Sequence, residues 1–499
     1  MSTIRKKGII TTFYIYIGFL LGALNTFFYF KYFQPTEYGL TIVLLEIAML
    51  FSSMAILGSN TVVAKFFPYY RSHLKEGKSE LLTIAFFFSL VGFLLLLGGT
   101  LLFQPLIIKK YSGKSPLLVN YFYLIYPITF FLVYFQVLES QAWNMRRAGL
   151  SNFLKEVLYR ILCFILIILF ITGIISFHSF VEIFSWNYAV LFAVMLLYLM
   201  YKGDLQFSFR ISSLTKRLWK KMLAYALFIL GGNVISILSK TIDAIVISSV
   251  IGLNYAAVFS LAQYMSSVIE VPQRTATSMA TPIISQAWKD RDMDKLASVY
   301  RKTSLTLLIA STFIFTMIWL NYDDAFRFLD MPEIYYLGKP LVLMLGLTKI
   351  IELGTGMNSA IIITSRKWKF ELYSNMILLV CMLPLTYILI KSHGLIGAGI
   401  ANMVSITLFN TIRFGFLWKV YKLQPFTYKT LIAVLIPTGV FFLLYYTVRL
   451  SNPLLNIVVR SILFVGLYTF LLLRLKVSED VEQVLTNVYL RIRNVLAKR

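Results

Sequence analysis

Two stretches of the sequence share one pattern of apolar and polar residues. Residues 11–50 read TTFYIYIGFLLGALNTFFYFKYFQPTEYGLTIVLLEIAML, and residues 223–265 read LAYALFILGGNVISILSKTIDAIVISSVIGLNYAAVFSLAQYM. Each is a long apolar segment dotted with polar residues, then a tight loop, then a second apolar segment. Aligning Gly39 with Ala257 superimposes the two stretches without a gap and pairs Asn25 with Asp243. Because this shift is nearly half the length of the chain, it predicts an internal repeat.

The composition places most of the chain in lipid. Hydrophobic residues make up 59% of the sequence and charged residues only 14%, whereas soluble domains average about 25% charged residues. So little charge cannot cover the surface of several soluble domains. We therefore predict an all-α polytopic membrane protein.

Apolar segments of about 20 residues are long enough to cross a bilayer, and about 14 segments of the chain meet this requirement. They lie near residues 9–30, 39–58, 81–103, 117–139, 152–174, 181–201, 222–249, 256–273, 303–320, 340–362, 371–390, 395–416, 430–448 and 455–473. The connections are too short to hold an extramembrane catalytic domain, and no catalytic triad is found. We expect a transporter, with no catalytic residues.

The basic residues indicate the orientation. Lys and Arg number 47 against 22 Asp and Glu, a net charge of +25. If the N-terminus is cytoplasmic, 35 of them fall in cytoplasmic loops and ends and 8 in outer loops. Because basic residues concentrate in cytoplasmic loops, this predicts that both termini are cytoplasmic. The charge excess then reflects topology, and no nucleic-acid partner is expected.

The repeat predicts the domain organisation. Six spans precede the second copy, so both copies cross the membrane in the same direction, as in transporters whose halves are related by an axis along the membrane normal. We predict two parallel six-helix bundles around a central cavity, at residues 1–221 and 222–422. An additional helix pair follows at 423–475. The basic tail at 476–499 is either an amphipathic helix on the inner leaflet or a frayed end.

Four motifs carry a family resemblance: FQPTEYGL at 33–40, KTID at 240–243, VIGLNYAAVFSLA at 250–262 and ATPIIS at 280–285. Together with the span number and the half-length repeat, they resemble the Wzx-type polysaccharide flippases of the multidrug/oligosaccharidyl-lipid/polysaccharide exporter superfamily. The resemblance implies a bacterial cytoplasmic (inner) membrane protein that moves undecaprenyl diphosphate-linked oligosaccharide to the outer leaflet by alternating access. It implies membrane lipids, glycosyltransferases and a polysaccharide polymerase as partners.

Polar side chains form a stripe on span seven. At about 100° per residue, Asn233, Ser236, Lys240 and Asp243 fall within an arc of roughly 80°. A polar stripe is costly against lipid and typically faces a cavity. Lys240 could then bind substrate phosphates, with Asp243 as its partner or as an ion-coupling acid. The alternative is an intrahelical pair between Lys240 and Asp243.

Spans eight and ten carry similar stripes. In span eight, Gln263, Glu270 and Arg274 share one face, and Arg274 is either a substrate contact or a snorkelling interfacial arginine. In span ten, Lys349 is a candidate substrate contact and Glu352 a candidate coupling acid, unless the two simply pair. The candidate substrate-binding residues are therefore Lys240, Lys349, Arg274, Asn233 and Gln263.

Span two contains an acid, Glu46, with no basic neighbour within one helical turn. This suits coupling to protons or sodium, although a simple protonated, hydrogen-bonded acid fits equally. Gln136 and Glu139 of span four lie toward the cytoplasmic end and are interpreted as interfacial. No Cys/His cluster is present, so neither a metal nor a cofactor is expected.

Two other transporter functions stay open: lipid II flippase and drug or cation antiporter of the same superfamily. Bases and acids are nearly balanced among the in-span candidates, so their charge does not decide between these functions. A polytopic glycan polymerase or ligase is disfavoured by the short outer loops.

Overall fold

The computed structural model describes residues 3–74, 79–205 and 207–478. Every regular element in these ranges is helical. The chain divides into two compact units, with the boundary between Ala257 and Val258. Of the predicted basic tail at 476–499, the part after residue 478 lies outside the described residues.

The N-terminal unit contains twelve helices among its described residues. They are α1 (Thr3–Tyr32), α2 (Pro35–Ala55), α3 (Ser59–His73), α4 (Leu81–Leu102), α5 (Gln104–Tyr111), α6 (Pro116–Tyr121), α7 (Ile125–Asn144), α8 (Ala148–Phe153), α9 (Tyr159–Ile171), α10 (Phe177–Ser185), α11 (Asn187–Tyr201) and α12 (Ser213–Val250). A π-helical turn, Leu154–Leu158, joins α8 to α9.

The helices of the C-terminal unit follow in chain order. They are α13 (Leu253–Ser267), which begins just before the boundary, α14 (Val271–Asp290), α15 (Met293–Phe328), α16 (Lys339–Gly354), α17 (Asn358–Thr364), α18 (Lys369–Tyr421), α19 (Tyr428–Thr447) and α20 (Pro453–Arg474). A 3₁₀ turn, Val268–Glu270, separates α13 from α14. Gly394 interrupts α18 with φ 60° and ψ −138°, between two predicted spans.

Ten helical segments of the described residues are long and apolar enough to cross a membrane. This confirms a multi-pass, all-α membrane protein. The count of fourteen spans, the two six-helix bundles and the boundary at 221/222 stay predictions.

Two helices are much longer than the predicted spans. α12 has 38 residues and α15 has 36, so at 1.5 Å per residue each is about 55 Å long, against a hydrocarbon core of about 30 Å. The predicted connection between spans eight and nine is largely helical, because α14 continues to Asp290 and α15 begins at Met293. Asp292 caps α15 by accepting a hydrogen bond from the Lys295 backbone N–H.

The shift between the two sequence stretches recurs in the helix ends. α1 ends at Tyr32 and α12 at Val250, while α2 begins at Pro35 and α13 at Leu253, so both pairs are separated by the same shift as Gly39 and Ala257. Gly39, in the first turns of α2, packs directly on Leu253. A Cβ on Gly39 would lie 2.0 Å from the Leu253 carbonyl oxygen. The absence of a side chain at position 39 therefore permits this packing.

The start of α12 is held by a buried carboxylate. Glu80, which is 1% exposed, accepts hydrogen bonds through Oε1 from the Ser212 backbone N–H at 2.8 Å and from the Ser212 and Thr215 hydroxyls at 2.5 Å each. Burial alone would raise the pKa of Glu80, but these hydrogen bonds outweigh it and hold the pKa below its ordinary value. Glu80 thus fixes the entry to α12 in its ionised form.

In the C-terminal unit, a buried ion pair joins α15 to α20. Arg460 Nη1 lies 2.6 Å from Asp324 Oδ2, and the two side chains are 8% and 9% exposed. Asn456 donates to the same Asp324 oxygen at 2.7 Å, and the Arg460 guanidinium also donates to the Val448 carbonyl oxygen. Because its hydrogen-bonding groups are partnered, the charge pair can be buried here.

Candidate functional site

The residues of the predicted stripe on α12 differ in their exposure. Asn233 is half-buried, Ser236 and Lys240 are exposed, and Asp243 is 2% exposed. Within the described part of the chain, Lys240 has no ion-pair or hydrogen-bond partner. Lys240 lies one helical turn beyond Ser236, on the same helix face. The stripe therefore carries an accessible cation.

A cavity of about 390 Å³ lies in the N-terminal unit, beside the first half of this stripe. Nine of its fourteen lining residues carry a polar side chain. Its uncharged polar residues are Ser52, Ser53, Asn60, Gln136, Asn233, Ser236 and Tyr188. The lining thus comes from α2, α3, α7, α11 and α12.

A charge pair completes the cavity lining. Lys155 Nζ lies 2.6 Å from Glu139 Oε1, and both residues line the cavity. Lys155 belongs to the π-helical turn, whose extra residue shifts side-chain directions relative to an α-helix. Because the two charges neutralise each other, the described lining of the cavity is neutral overall.

The interpretation of Gln136 and Glu139 as merely interfacial is incomplete, because both line this cavity. Glu139 is 7% exposed, and Gln136 Nε2 donates to the Ser52 hydroxyl at 3.4 Å. Lys155 also lines the cavity, although the sequence places it among the cytoplasmic basic residues. The sequence signal that could have identified Gln136 and Glu139 is their i, i+3 spacing, which puts them on one face of α7.

The candidate acids Glu46 and Asp243 are neighbours. Glu46 on α2 is half-buried and lies near enough to Asp243 on α12 for their carboxyl groups to interact electrostatically. Two neighbouring carboxyl groups on a pair of membrane helices repel each other when both are ionised. This arrangement suits the sharing of one proton or one bound cation.

In the C-terminal unit, Lys349 is paired on two sides. It forms an ion pair with Glu270, in the 3₁₀ turn between α13 and α14, and its Nζ also lies 2.9 Å from Glu352 Oε2. The expected alternative of a Lys349–Glu352 pair is therefore present, with Glu270 as a second partner from another helix. Lys349 as it stands is a less available cation than Lys240.

The same network continues into α18. Glu352 interacts electrostatically with Arg413, and Arg413 forms an ion pair with Glu371. Ser359 donates to Glu371 at 2.8 Å. Three carboxylates and two cations are thus linked across α16, α18 and the 3₁₀ turn before α14.

The remaining candidates have no partners that would define a site. Gln263 and Arg274 are both exposed, and neither has an ion pair or a side-chain hydrogen bond within the described residues. Their roles stay predictions. No group of three or more metal-ligating side chains occurs among the described residues.

The fold is that of a class of membrane transporters. The chain is similar to the lipid II flippase MurJ in its inward closed conformation, with a TM-score of 0.74, 16% identity, and coverage of 94% of this chain and 98% of that chain. An inward-facing multidrug resistance MATE family transporter gives a TM-score of 0.61 at 17% identity, covering 81% of this chain and 94% of the other. A transporter from Pyrococcus furiosus gives 0.58 at 18% identity, covering 84% and 96%.

Two family profiles match the chain. The profile described as polysaccharide biosynthesis protein matches residues 4–288, and the MatE profile matches residues 229–388. No protein of curated function matches the chain by sequence. The first match covers more than half of the chain, so the chain belongs to the polysaccharide biosynthesis protein family. Its fold is shared with MATE family transporters of the MOP superfamily.

Proposed function

We propose that this chain is a flippase that moves a glycan linked to undecaprenyl diphosphate from the cytoplasmic to the outer leaflet of the bacterial cytoplasmic membrane. The observation that carries the proposal is Lys240, an accessible cation without a partner among the described residues, on the polar stripe of a helix that is long and apolar enough to cross the membrane. A lysine in that position is costly unless it meets an anion. The diphosphate of a lipid-linked glycan is such an anion, and charge-assisted hydrogen bonds would hold it.

Alternating access supplies the mechanism of the proposal. The predicted bundles, 1–221 and 222–422, would rock about the bound headgroup, as expected for a transporter built from two repeats. The helix ends that recur at the half-length shift support the repeat. The distribution of basic residues supports an orientation with both termini in the cytoplasm.

Lipid II is the second candidate substrate. The similarity in fold to the lipid II flippase MurJ favours it, and lipid II also presents a diphosphate. A drug or cation antiporter is less well supported, because the unpartnered charge on the described α12 stripe is positive. The substrates can be separated by supplying each one alone.

The test is transport in proteoliposomes containing the full chain. A polyprenyl diphosphate oligosaccharide is placed in one leaflet, and its arrival in the other is followed with an added glycosidase. Lys240→Ala should reduce the rate at least tenfold, since it removes a charge-assisted contact. Lys240→Arg should retain most of the rate. Lys31→Ala, which removes an exposed lysine at the end of α1, is the matched control.

The proposal fails if wild-type protein moves neither lipid, or if Lys240→Ala transports at the wild-type rate. Ion coupling is tested in the same vesicles. If Glu46 and Asp243 share a proton, Glu46→Gln should transport without responding to an imposed pH gradient. A Glu46→Gln protein that keeps the full pH response would exclude that role, and Glu352→Gln tests the second coupling candidate in the same way.

A further inference from the structure

We infer that the cavity of the N-terminal unit, beside Asn233 and Ser236, is a binding site for a sugar ring, namely the sugar unit attached directly to the diphosphate. This inference rests on the proposed function and deepens it. It assigns the two parts of the substrate to different places: the diphosphate to Lys240 and the first sugar to the cavity beside it.

The size and polarity of the cavity indicate the class of ligand. Its volume is about 390 Å³, which lies near the lower end of the range of about 300–1,000 Å³ that ligand pockets span. Nine of its fourteen lining residues are polar. A volume of this size fits one or two sugar rings, and a lining that mixes polar and apolar side chains suits a ligand that has both kinds of surface.

Charge excludes two further ligand classes. Among the described residues, the only charged ones that line the cavity are Glu139 and Lys155, and they pair at 2.6 Å. A cationic ligand would have to displace Lys155, and an anionic ligand would have to displace Glu139. A neutral ligand rich in hydroxyl groups requires neither displacement.

The hydrogen-bonding groups present both donors and acceptors. Ser52 and Ser53 donate their hydroxyl protons to the Met49 and Leu50 carbonyls at 2.9 and 2.7 Å. The Ser53 oxygen accepts no hydrogen bond within the described residues, and the Ser52 oxygen, which already accepts from Gln136, keeps a second acceptor site. The amide oxygen of Asn60 is buried with no partner among the described residues. An unpaired buried acceptor of this kind is costly and would be satisfied by a ligand hydroxyl.

The donors come from the facing helices. Asn233 and Ser236 on α12 make no side-chain hydrogen bond within the described residues. The Tyr188 ring also lines the cavity and offers an apolar face against which the C–H side of a sugar ring can pack. A sugar ring presents this combination of hydroxyl edges and an apolar face.

The position of Lys240 links the cavity to the diphosphate. Ser236 lines the cavity, and Lys240 lies four positions further along the same helix, so their Cβ atoms are about 5–6 Å apart. In a lipid-linked glycan the diphosphate is bonded directly to the first sugar. A diphosphate at Lys240 would therefore place that sugar at the mouth of the cavity.

The experiment measures protection of a cysteine in the cavity. Ser236→Cys is made in full-length protein carrying Cys381→Ser; the remaining native cysteine, Cys163, is buried. The rate of reaction with a methanethiosulfonate reagent is measured in proteoliposomes with two probes. One is a polyprenyl diphosphate without sugar, and the other is the same lipid carrying one hexose.

The hexose-bearing lipid should slow labelling at least fivefold more than the sugar-free lipid. Gln136→Ala and Asn233→Ala should each weaken protection by the hexose-bearing lipid about fivefold to tenfold and should weaken protection by the sugar-free lipid less. Lys240→Ala should weaken binding of both lipids. Gln424→Ala, an exposed amide outside the cavity, is the matched control.

Equal protection by the two lipids would overturn the sugar site, because the diphosphate alone would then account for binding. Labelling unaffected by either lipid, in a protein that still transports the glycan, would also overturn it and show a cavity filled only by water. If wild-type protein neither binds nor transports either lipid, the proposed function fails and this inference fails with it. These outcomes separate the two proposals.

Discussion

Replacing Gly39 with alanine should separate α2 from the first residue of α13. In the observed packing a Cβ at position 39 would lie 2.0 Å from the Leu253 carbonyl oxygen, whereas ordinary contacts of a Cβ begin near 3.4 Å. The neighbouring group is backbone, so a rotamer change cannot relieve the clash. The backbones of α2 and α13 would therefore have to move apart by most of the difference between 2.0 and 3.4 Å.

The energetic cost follows from the overpacking. Inserting a methyl group into a packed contact costs about 1–3 kcal/mol, which corresponds to a shift of about 5- to 150-fold in a two-state equilibrium. If the proposed alternating access opens this contact in another conformation, Gly39→Ala penalises only the packed conformation. The variant should populate the open conformation and lose transport, although the protein still folds.

The assay is a distance measurement between spin labels. Thr36 and Asn254 flank the contact, line a shared pocket and are at least partly exposed, so Thr36→Cys and Asn254→Cys can be labelled in a Cys381→Ser background. Gly39→Ala should shift the distance distribution to longer values. The control is Gly439→Ala, because a Cβ at that helical glycine would have nothing within 4 Å. An unchanged distribution together with wild-type transport would show that close packing at Gly39 does not control the opening of this contact.

Three further predictions concern buried charges. Glu80→Gln should lower the melting temperature at neutral pH and have little effect in acid. The pKa of Glu80 is lower in the folded protein than in the unfolded chain. The stability that its carboxylate adds is therefore present above the pKa of the unfolded chain and is lost as the pH falls through the pKa of the folded protein. Melting curves of variant and wild type should converge as the pH is lowered from neutral into the acid range, and a constant difference would contradict this. Asp324→Ala should destabilise the protein by about 3–5 kcal/mol, because it leaves Arg460 buried without its carboxylate; thermal unfolding measures this, and a loss below about 1 kcal/mol would contradict it. Lys349→Ala should lower the yield of folded protein in membranes, and adding Glu270→Gln should restore part of it, since the lysine neutralises that carboxylate; failure of the second change to help would exclude charge balance as the cause.

Much of the fold can be predicted from periodicity and charge. The shift obtained by aligning Gly39 with Ala257 coincides with the helix ends at Tyr32 and Val250. This agreement has a physical basis, because the tight loop after each first helix is set by local sequence. The helices α12 and α15 exceed their predicted spans, because hydropathy marks where a helix enters lipid and says nothing about where its polar extension ends.

The site can be predicted only in part, since contacts between helices are invisible to spacing along one helix. Asn233 belongs to the predicted polar face of α12, and it lines the cavity. The i, i+3 relation predicts the Lys349–Glu352 pair, but nothing in the sequence indicates that Glu270 reaches the same lysine. Lys155 escapes prediction because its direction depends on a π-helical turn, and no simple residue pattern predicts such a turn.

A membrane potential would act on the net charge of the charge network in the C-terminal unit. With every group ionised, Glu270, Glu352 and Glu371 against Lys349 and Arg413 leave one net negative charge among membrane helices. Carrying one elementary charge through the whole membrane field changes its energy by about 2.3 kcal/mol per 100 mV. A motion that carried the network along the membrane normal would therefore be driven or resisted by the membrane potential. The energy would scale with the fraction of the membrane field that the network crosses, and no bound ion would be needed.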